Sequence, residues 1–278
     1  MFDTKQGYWQ KRKKQWKELG LQSEVGRDTG LLGQGMYELA KNKGMNLTGT
    51  SIFDPVLCEV VYNWFCPKMG IVFDPFAGGS VRGVVAEKLR QKYIGIDLSQ
   101  RQVDANQING DKLGVCPAWY CDDSRNADKY IPDNSADMIF SCPPYHNLEK
   151  YSDHPQDLSN MNYADFLEAY REIISISCRK LKNNRFAVFV VGDIRDSKGA
   201  YRDFVSSTKQ IFQENGLQLY NEIILLNQYG TAPMRASAIF NSARKTVKVH
   251  QNVLVFYKGD IREIKNIYNN QCEWAELD

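Results

Sequence analysis

Several features are scarce in this sequence, and each scarcity removes a class of function. No apolar run approaches the roughly 18–20 residues of a membrane-spanning helix; the longest, such as 186–191, are strand-sized. The opening stretch, MFDTKQGYWQKRKK, lacks the apolar segment of a secretory signal, so the chain reads as cytoplasmic with no membrane partner. Histidine is rare, at 146, 154 and 250 only, and the three are too scattered to be given a role. The seven cysteines (58, 66, 116, 121, 142, 178 and 272) are odd in number and form no C-x-x-C pair. A disulfide framework and a zinc site are both poor fits, and most of these thiols are expected in the core; no metal is expected. Charge of one sign is lacking too: 35 Lys+Arg against 33 Asp+Glu leave a formal +2, so any nucleic-acid surface must come from local clustering.

What is present is enough apolar material for a real core, 43% hydrophobic and 12% aromatic over 278 residues, which fits one large α/β domain or two modest ones. Residues 1–20 are basic and amphipathic, with Trp9 and Trp16 on one helical face. They read either as a solvated helix docked by its tryptophans or as an arm touching phosphates. Residues 20–50 are glycine-rich and weakly periodic. From there strand and helix alternate: helices over 52–65, 80–92, 99–110, 163–181 and 202–215, strands over 71–74, 93–97, 118–121, 136–141, 186–191, 222–226 and 253–257. Gly216 is placed to cap the last of those helices. This spacing predicts an α/β fold: a seven-stranded, mostly parallel sheet with helices on both faces. Residues 227–250 carry Arg235, Arg244, Lys245 and Lys248 and no acid at all.

In such sheets ligands bind beyond the carboxyl ends of the strands, so the strand-end motifs matter most. The first, Asp74-Pro75-Phe76-Ala77-Gly78-Gly79-Ser80, joins a strand to a helix through adjacent glycines that let backbone approach a ligand. It is neither G-x-G-x-x-G nor a P-loop; an acid there suits an ammonium group, although an ordinary tight turn would also use these residues. The next strand ends in Asp97, where a carboxylate can take a ribose diol or simply cap a helix. Asp122-Asp123 follows the third strand and could accept from an adenine amino group or, again, cap. The fourth ends in Ser141-Cys142-Pro143-Pro144-Tyr145, where two prolines remove two N–H groups and leave carbonyls to accept. Tyr145 then offers a ring on which a base could stack. Asp193-Ile194-Arg195, after the fifth, reads as a surface ion pair, a support for the site or a DNA contact.

Taken together, D-P-F-x-G-G, G-I-D and D-x-I-x-S-C-P-P-Y resemble the S-adenosylmethionine-dependent DNA methyltransferases that modify exocyclic amino groups, giving N6-methyladenine or N4-methylcytosine. The resemblance runs from about residue 53 to 258, with Phe53-Asp54-Pro55 similar to the start of the family's extra cofactor-binding helix and 249–258 similar to its final antiparallel strand. It implies a class I, Rossmann-like catalytic domain over 51–260, a basic arm and loops over 1–50, a tail over 261–278 and a DNA-recognition segment near 227–250. It further implies S-adenosylmethionine as cofactor, held by Phe53, Asp54, Asp74, Pro75, Phe76, Gly78, Gly79, Ser80, Asp97, Asp122 and Asp123. Cys142, Pro143, Pro144 and Tyr145 would be catalytic, and Arg235, Arg244, Lys245 and Lys248 would bind double-stranded DNA after base flipping. A bacterial or phage source, a homodimer and a paired restriction endonuclease are all compatible with it.

The sequence departs from the family at Cys142, where Asp, Asn or Ser is usual. Serine is the smaller chemical step and is commoner among cytosine-N4 members, which leans towards cytosine and leaves adenine open. Cys142 also raises cytosine-C5 methylation, but that chemistry presents Pro before Cys. Methylation of RNA guanine or of a protein glutamine uses related loops, and a degenerate, DNA-binding chain is a further alternative.

Overall fold

The computed structural model describes residues 1–21, 53–146, 157–226 and 232–269, with side chains from 236 onward in the last span. Ile52, His154, Cys272, residues 227–231, most of the glycine-rich 20–50 stretch and the Arg235 side chain lie outside the described residues.

Among the described residues, eight strands form one sheet: β1 (Phe2–Asp3), β2 (Ile71–Asp74), β3 (Lys92–Asp97), β4 (Ala118–Cys121), β5 (Ala136–Ser141), β6 (Leu181–Val191), β7 (Gln218–Leu226) and β8 (His250–Lys258), in the order β1-β7-β8-β6-β5-β2-β3-β4. β2 to β6 run parallel to one another, and β8 is antiparallel to both β6 and β7. The mostly parallel α/β sheet with its antiparallel last strand matches the sequence reading; the count of seven is corrected to eight. The additional strand is β1, which pairs Phe2 with Leu225 and Asp3 with Leu226. Two residues carry no periodicity of their own, so only the neighbouring β7 makes them a strand.

The central strands β2, β5, the 186–191 part of β6 and the 253–257 part of β8 are largely apolar because both of their faces are covered. Val72, Met138, Phe140, Phe186, Val188 and Val255 belong to one core; Phe73, Ile139, Ala187, Phe189 and Leu254 belong to the other. The first core is roofed by α1 (Gly7–Glu18), α2 (Pro55–Phe65), α3 (Val81–Lys88) and α4 (Gln100–Lys112), the second by α5 (Tyr163–Lys180) and α6 (Phe204–Glu214). Beyond α6, Gly216 takes φ +79 and lets Leu217 N–H return to the Phe212 carbonyl at 3.1 Å, the left-handed stop expected of it. A helix the sequence did not announce, α7 (Ala232–Ala243), occupies much of the acid-free stretch. A short α8 (Ile264–Ile267) follows β8.

The basic N-terminal helix is docked. Trp9 and Trp16 are buried, and Arg12 donates through Nε (2.8 Å) and Nη2 (2.5 Å) to Glu59 of α2, whose carboxylate also accepts from Trp16 Nε1 at 2.8 Å. Lys13 pairs with Asp54 at 2.8 Å. The alternative of a phosphate-seeking arm is corrected for these two cations, because both are spent on carboxylates inside the fold.

Glu59 has no solvent exposure, so its charge depends on Arg12. Arg12→Ala should cost about 3–5 kcal/mol, the usual penalty for stranding a buried charge, read from denaturant melts. A loss within the range of an exposed pair, about 0–1 kcal/mol, would refute that dependence.

Candidate functional site

The chain moves outward from β2 through β3 to β4 and then returns to lay β5 on the other side of β2. The reversal opens a crevice between the carboxyl ends of β2 and β5, the position at which open α/β sheets bind ligands. Asp74 ends one of these strands and Ser141 the other.

Asp74 is fully buried and accepts from four elements. Its Oδ1 takes the Phe76 N–H at 3.1 Å and the Ser141 hydroxyl; its Oδ2 takes Arg82 Nε at 2.5 Å and the Tyr93 hydroxyl at 2.7 Å. Arg82 reaches on to the carbonyls of Phe76 (2.6 Å) and Ala77 (2.9 Å) and lies 4.6 Å from the centre of the Phe53 ring. Burial alone would lower the guanidinium's pKa, but the Asp74 carboxylate more than reverses this. Burial pushes the Tyr93 phenol well up, so it stays protonated and donates. Asp74 was expected to meet a ligand ammonium; that expectation is corrected, since the carboxylate has no solvent exposure and its acceptor sites are taken by the protein itself.

Gly78 adopts φ +52, donates its N–H to Asp97 Oδ2 at 2.9 Å and accepts from Asn106 at 2.7 Å. Ser80 is buried and accepts from Asn109 at 2.7 Å. Asp97 remains half-exposed while also accepting the Ser99 N–H at 2.8 Å. The next strand end is tied to it, with Asp122 N–H donating to the Asp97 carbonyl at 3.1 Å.

Asp122 is half-exposed. Burial acts to raise its carboxyl, but hydrogen bonds from Lys129 (2.8 Å), Asn126 (2.7 Å) and Tyr130 (2.7 Å) outweigh it and hold the group well below the usual carboxylate range. Asp123 is buried, caps the following turn through Arg125 N–H (2.9 Å) and grips the Arg125 guanidinium. For Asp123 the capping alternative is what the structure contains, which corrects its expected contact with an adenine. Asp54 likewise caps α2 through Val56 N–H at 2.9 Å while its other oxygen faces Lys13. Phe76 is half-exposed and leans on Tyr170 and Phe189, at centroid distances of 5.9 and 6.4 Å.

Across the crevice, Cys142 is half-buried and within electrostatic reach of Arg82 and Tyr170. Pro143 is buried; Pro144 and Tyr145 are half-buried. The Tyr145 hydroxyl accepts from Gln251 of β8, and its ring meets Phe204 edge-on at 6.4 Å. His146, at φ +47, bonds the Met161 carbonyl through Nε2 at 2.9 Å. The structure thus gathers the βα turn, Asp97, Asp122 and residues 142–145 along one edge of the sheet. Among the predicted DNA contacts, Arg244 is exposed, Lys245 lies beside Gly199 and Lys248 sits 3.5 Å from Asp193. Sequence reasoning missed Arg82, Tyr93, Ser141 and Gln251. For Arg82 a signal existed, a cation set within the apolar run Val81–Val85; the others carry none.

These features define a class I S-adenosylmethionine-dependent methyltransferase fold. TrmN of Thermus thermophilus is 14% identical, with 74% of this chain and 49% of that chain covered and a TM-score of 0.50. YcgJ of Bacillus subtilis is 15% identical, over 74% of this chain and 99% of that one, at a TM-score of 0.50. A SAM-dependent methyltransferase of Methanosarcina mazei is 10% identical, over 72% and 97%, at 0.49. At such identities the likeness is one of fold, and this chain spans about half the length of TrmN. A comparison with curated proteins gives no match. The DNA methylase family model matches residues 136–278, slightly over half the sequence. The chain belongs to that family, whose methyl donor is S-adenosylmethionine. The residues fit this cofactor: half-exposed Asp97, beside a left-handed glycine, is a hydrogen-bond acceptor suited to a ribose diol. No helix among the described residues is long and apolar enough to cross a membrane.

Ser141→Ala removes the only side chain of β5 that bonds Asp74 while leaving the other three donors in place. We expect about 1–2 kcal/mol of lost stability and at least a tenfold, or about 1.4 kcal/mol, loss in kcat, with cofactor affinity within about twofold by calorimetric titration. Unchanged kcat would mean that this bond does not position residues 142–145.

Proposed function

We propose that this chain transfers a methyl group from S-adenosylmethionine to the exocyclic amino group of adenine (N6) or cytosine (N4) in DNA. The observation that carries this reading is the joining, through one buried carboxylate, of a glycine-paired βα turn to a Ser-Cys-Pro-Pro-Tyr strand end across the crevice where strand order reverses. Membership of the DNA methylase family supports the same substrate class.

The cofactor, when bound, supplies an activated methyl on a sulfonium sulfur. Positioning falls to the protein. Asp97 would take the ribose hydroxyls, with Phe53, Asp54, Pro75, Phe76, Gly78, Gly79, Ser80 and Asp122 around the remainder, while Asp74 and Asp123 hold the frame.

An exocyclic amine is a poor nucleophile because its lone pair is delocalised into the ring. The Pro143 carbonyl and the Cys142 thiol would accept its two N–H groups and favour the pyramidal form. A thiol is the weaker acceptor, which leaves the larger share to the carbonyl. Fixed acceptors of this kind contribute roughly a few kcal/mol at the transition state. The diproline brings no N–H donors of its own to compete with the amine for those acceptors. Extruding a base from a duplex costs a few kcal/mol, and stacking on Tyr145, worth about 1–3 kcal/mol, would offset it. Gln251 holds the ring's hydroxyl. Arg235, Arg244, Lys245 and Lys248 would meet phosphates on the duplex, within a recognition segment near 227–250.

The test is to incubate the protein with methyl-labelled cofactor and, in separate reactions, mixed-sequence double-stranded DNA and RNA, digest each to nucleosides and identify the labelled one. N6-methyladenine or N4-methylcytosine is expected; label in 5-methylcytosine, in RNA alone or in nothing would overturn the reading. Tyr145→Ala should lower transfer by about 100-fold or more and leave cofactor affinity within about twofold. Joint loss of both would count against the division of roles.

A further inference from the structure

Beyond β6 the chain forms a small hairpin over residues 193–203 that none of the assigned roles uses. Arg195 and Tyr201 face each other as an antiparallel bridge, Asp196 N–H donates to the Ala200 carbonyl at 2.8 Å and Arg202 N–H to the Ile194 carbonyl at 2.9 Å. The turn closes at Gly199, at φ +94, whose N–H donates to the Asp196 carbonyl at 3.0 Å and whose carbonyl accepts from Arg195 Nη1 at 2.7 Å.

Both roots of this hairpin lie against Tyr145. On one side is Gly192, where even a Cβ atom would come within 4.0 Å of the Tyr145 hydroxyl; on the other is Phe204, edge-on to the Tyr145 ring. At the far end Tyr201 is 45% exposed, with the Arg195 guanidinium 3.9 Å from its ring centre. Arg202 lies 4.2 Å from the centre of the Tyr163 ring, and Lys245 packs beside Gly199. Hairpin and basic stretch therefore make one surface: residues 193–203 and 244–248 hold six cations and three acids, and one of those acids, Asp193, is matched by Lys248 at 3.5 Å.

A large aromatic kept exposed on a rigid turn, backed by a planar cation and set in a surface with more cations than acids, is suited to a stacked, polyanionic partner. We propose that Tyr201, supported by Arg195, enters the base stack of the nucleic acid at the gap left when the target base is drawn into the pocket at Tyr145. This rests on the reading that the target is a base in duplex DNA. Any base has a π-face on which a ring can stack, so such an insertion needs no sequence match. It would lower the cost of extrusion by restacking the neighbours the base has left. Arg195 holds the ring by cation–π contact and carries positive charge towards the phosphates. The hydrogen-bonded turn removes the ordering cost that a flexible loop would meet on insertion.

The experiment compares wild type, Tyr201→Ala and Tyr201→Trp on mixed-sequence duplex DNA and on the same DNA denatured and reannealed into mismatched duplexes, with methyl-labelled cofactor. On perfect duplexes Tyr201→Ala should lower transfer about tenfold, and Tyr201→Trp should keep it. On mismatched duplexes, where extrusion is already cheaper, the alanine variant should approach wild type. An equal loss on both substrates, or no loss on either, overturns the role of Tyr201 and leaves the methyltransferase reading standing. Wild type that transfers to neither DNA overturns both.

Discussion

The site depends on a single buried carboxylate being fully satisfied. Removing Asp74 from water is tolerable only because Phe76, Ser141, Arg82 and Tyr93 fill its acceptor positions. Those four partners come from the βα turn, the end of β5, helix α3 and strand β3. A carboxylate with no lone pair to spare cannot let one partner drift without exposing another, so four elements are set relative to one another by one group. The turn is doubly fixed, because Arg82 also holds the carbonyls of Phe76 and Ala77. An acid that looks from its position like a ligand contact is the tie that fixes these elements to one another.

Further layers extend the same logic outward. Gly78 is held from both sides, by Asp97 and by Asn106, and Ser80 by Asn109, so α4 braces the turn from below. The helix that begins at Asp54 is braced from the N-terminus, where Lys13 and Arg12 reach Asp54 and Glu59. Tyr145 is steadied from the other half of the sheet by Gln251 and Phe204. Side chains on rigid elements thus determine where the exposed acceptors stand, which preorganised chemistry requires.

Much of this was legible in the order of residues, for identifiable reasons. Strands β2, β5 and the 186–191 part of β6 announce themselves because both faces are buried, which makes them short, largely apolar runs between turn residues. The chemistry at their ends is legible because it is local: two glycines make a close turn, two prolines delete two donors and an acid before a helix caps it. The capping alternative for Asp123 was equally visible, and Arg125, two residues on, is what decides it. What escaped had no local signature. β1 is too short for a pattern, and α7 opens on Ala232-Pro233, which reads as readily as a turn.

The sequence by itself determined the kind of fold, the edge at which a ligand would bind and the chemical character of each strand end, since backbone freedom, hydrogen-bond inventory and apolar periodicity are properties of neighbours along the chain. Only the tertiary structure decided which strand-end acids stay half-exposed and which are consumed in bonding the protein to itself. Asp74 and Ser141 are 67 residues apart, and nothing in their spacing marks them as partners. They meet because the strand order reverses between β2 and β5, and a carboxylate buried at that reversal takes its donors from whatever the sheet lays beside it.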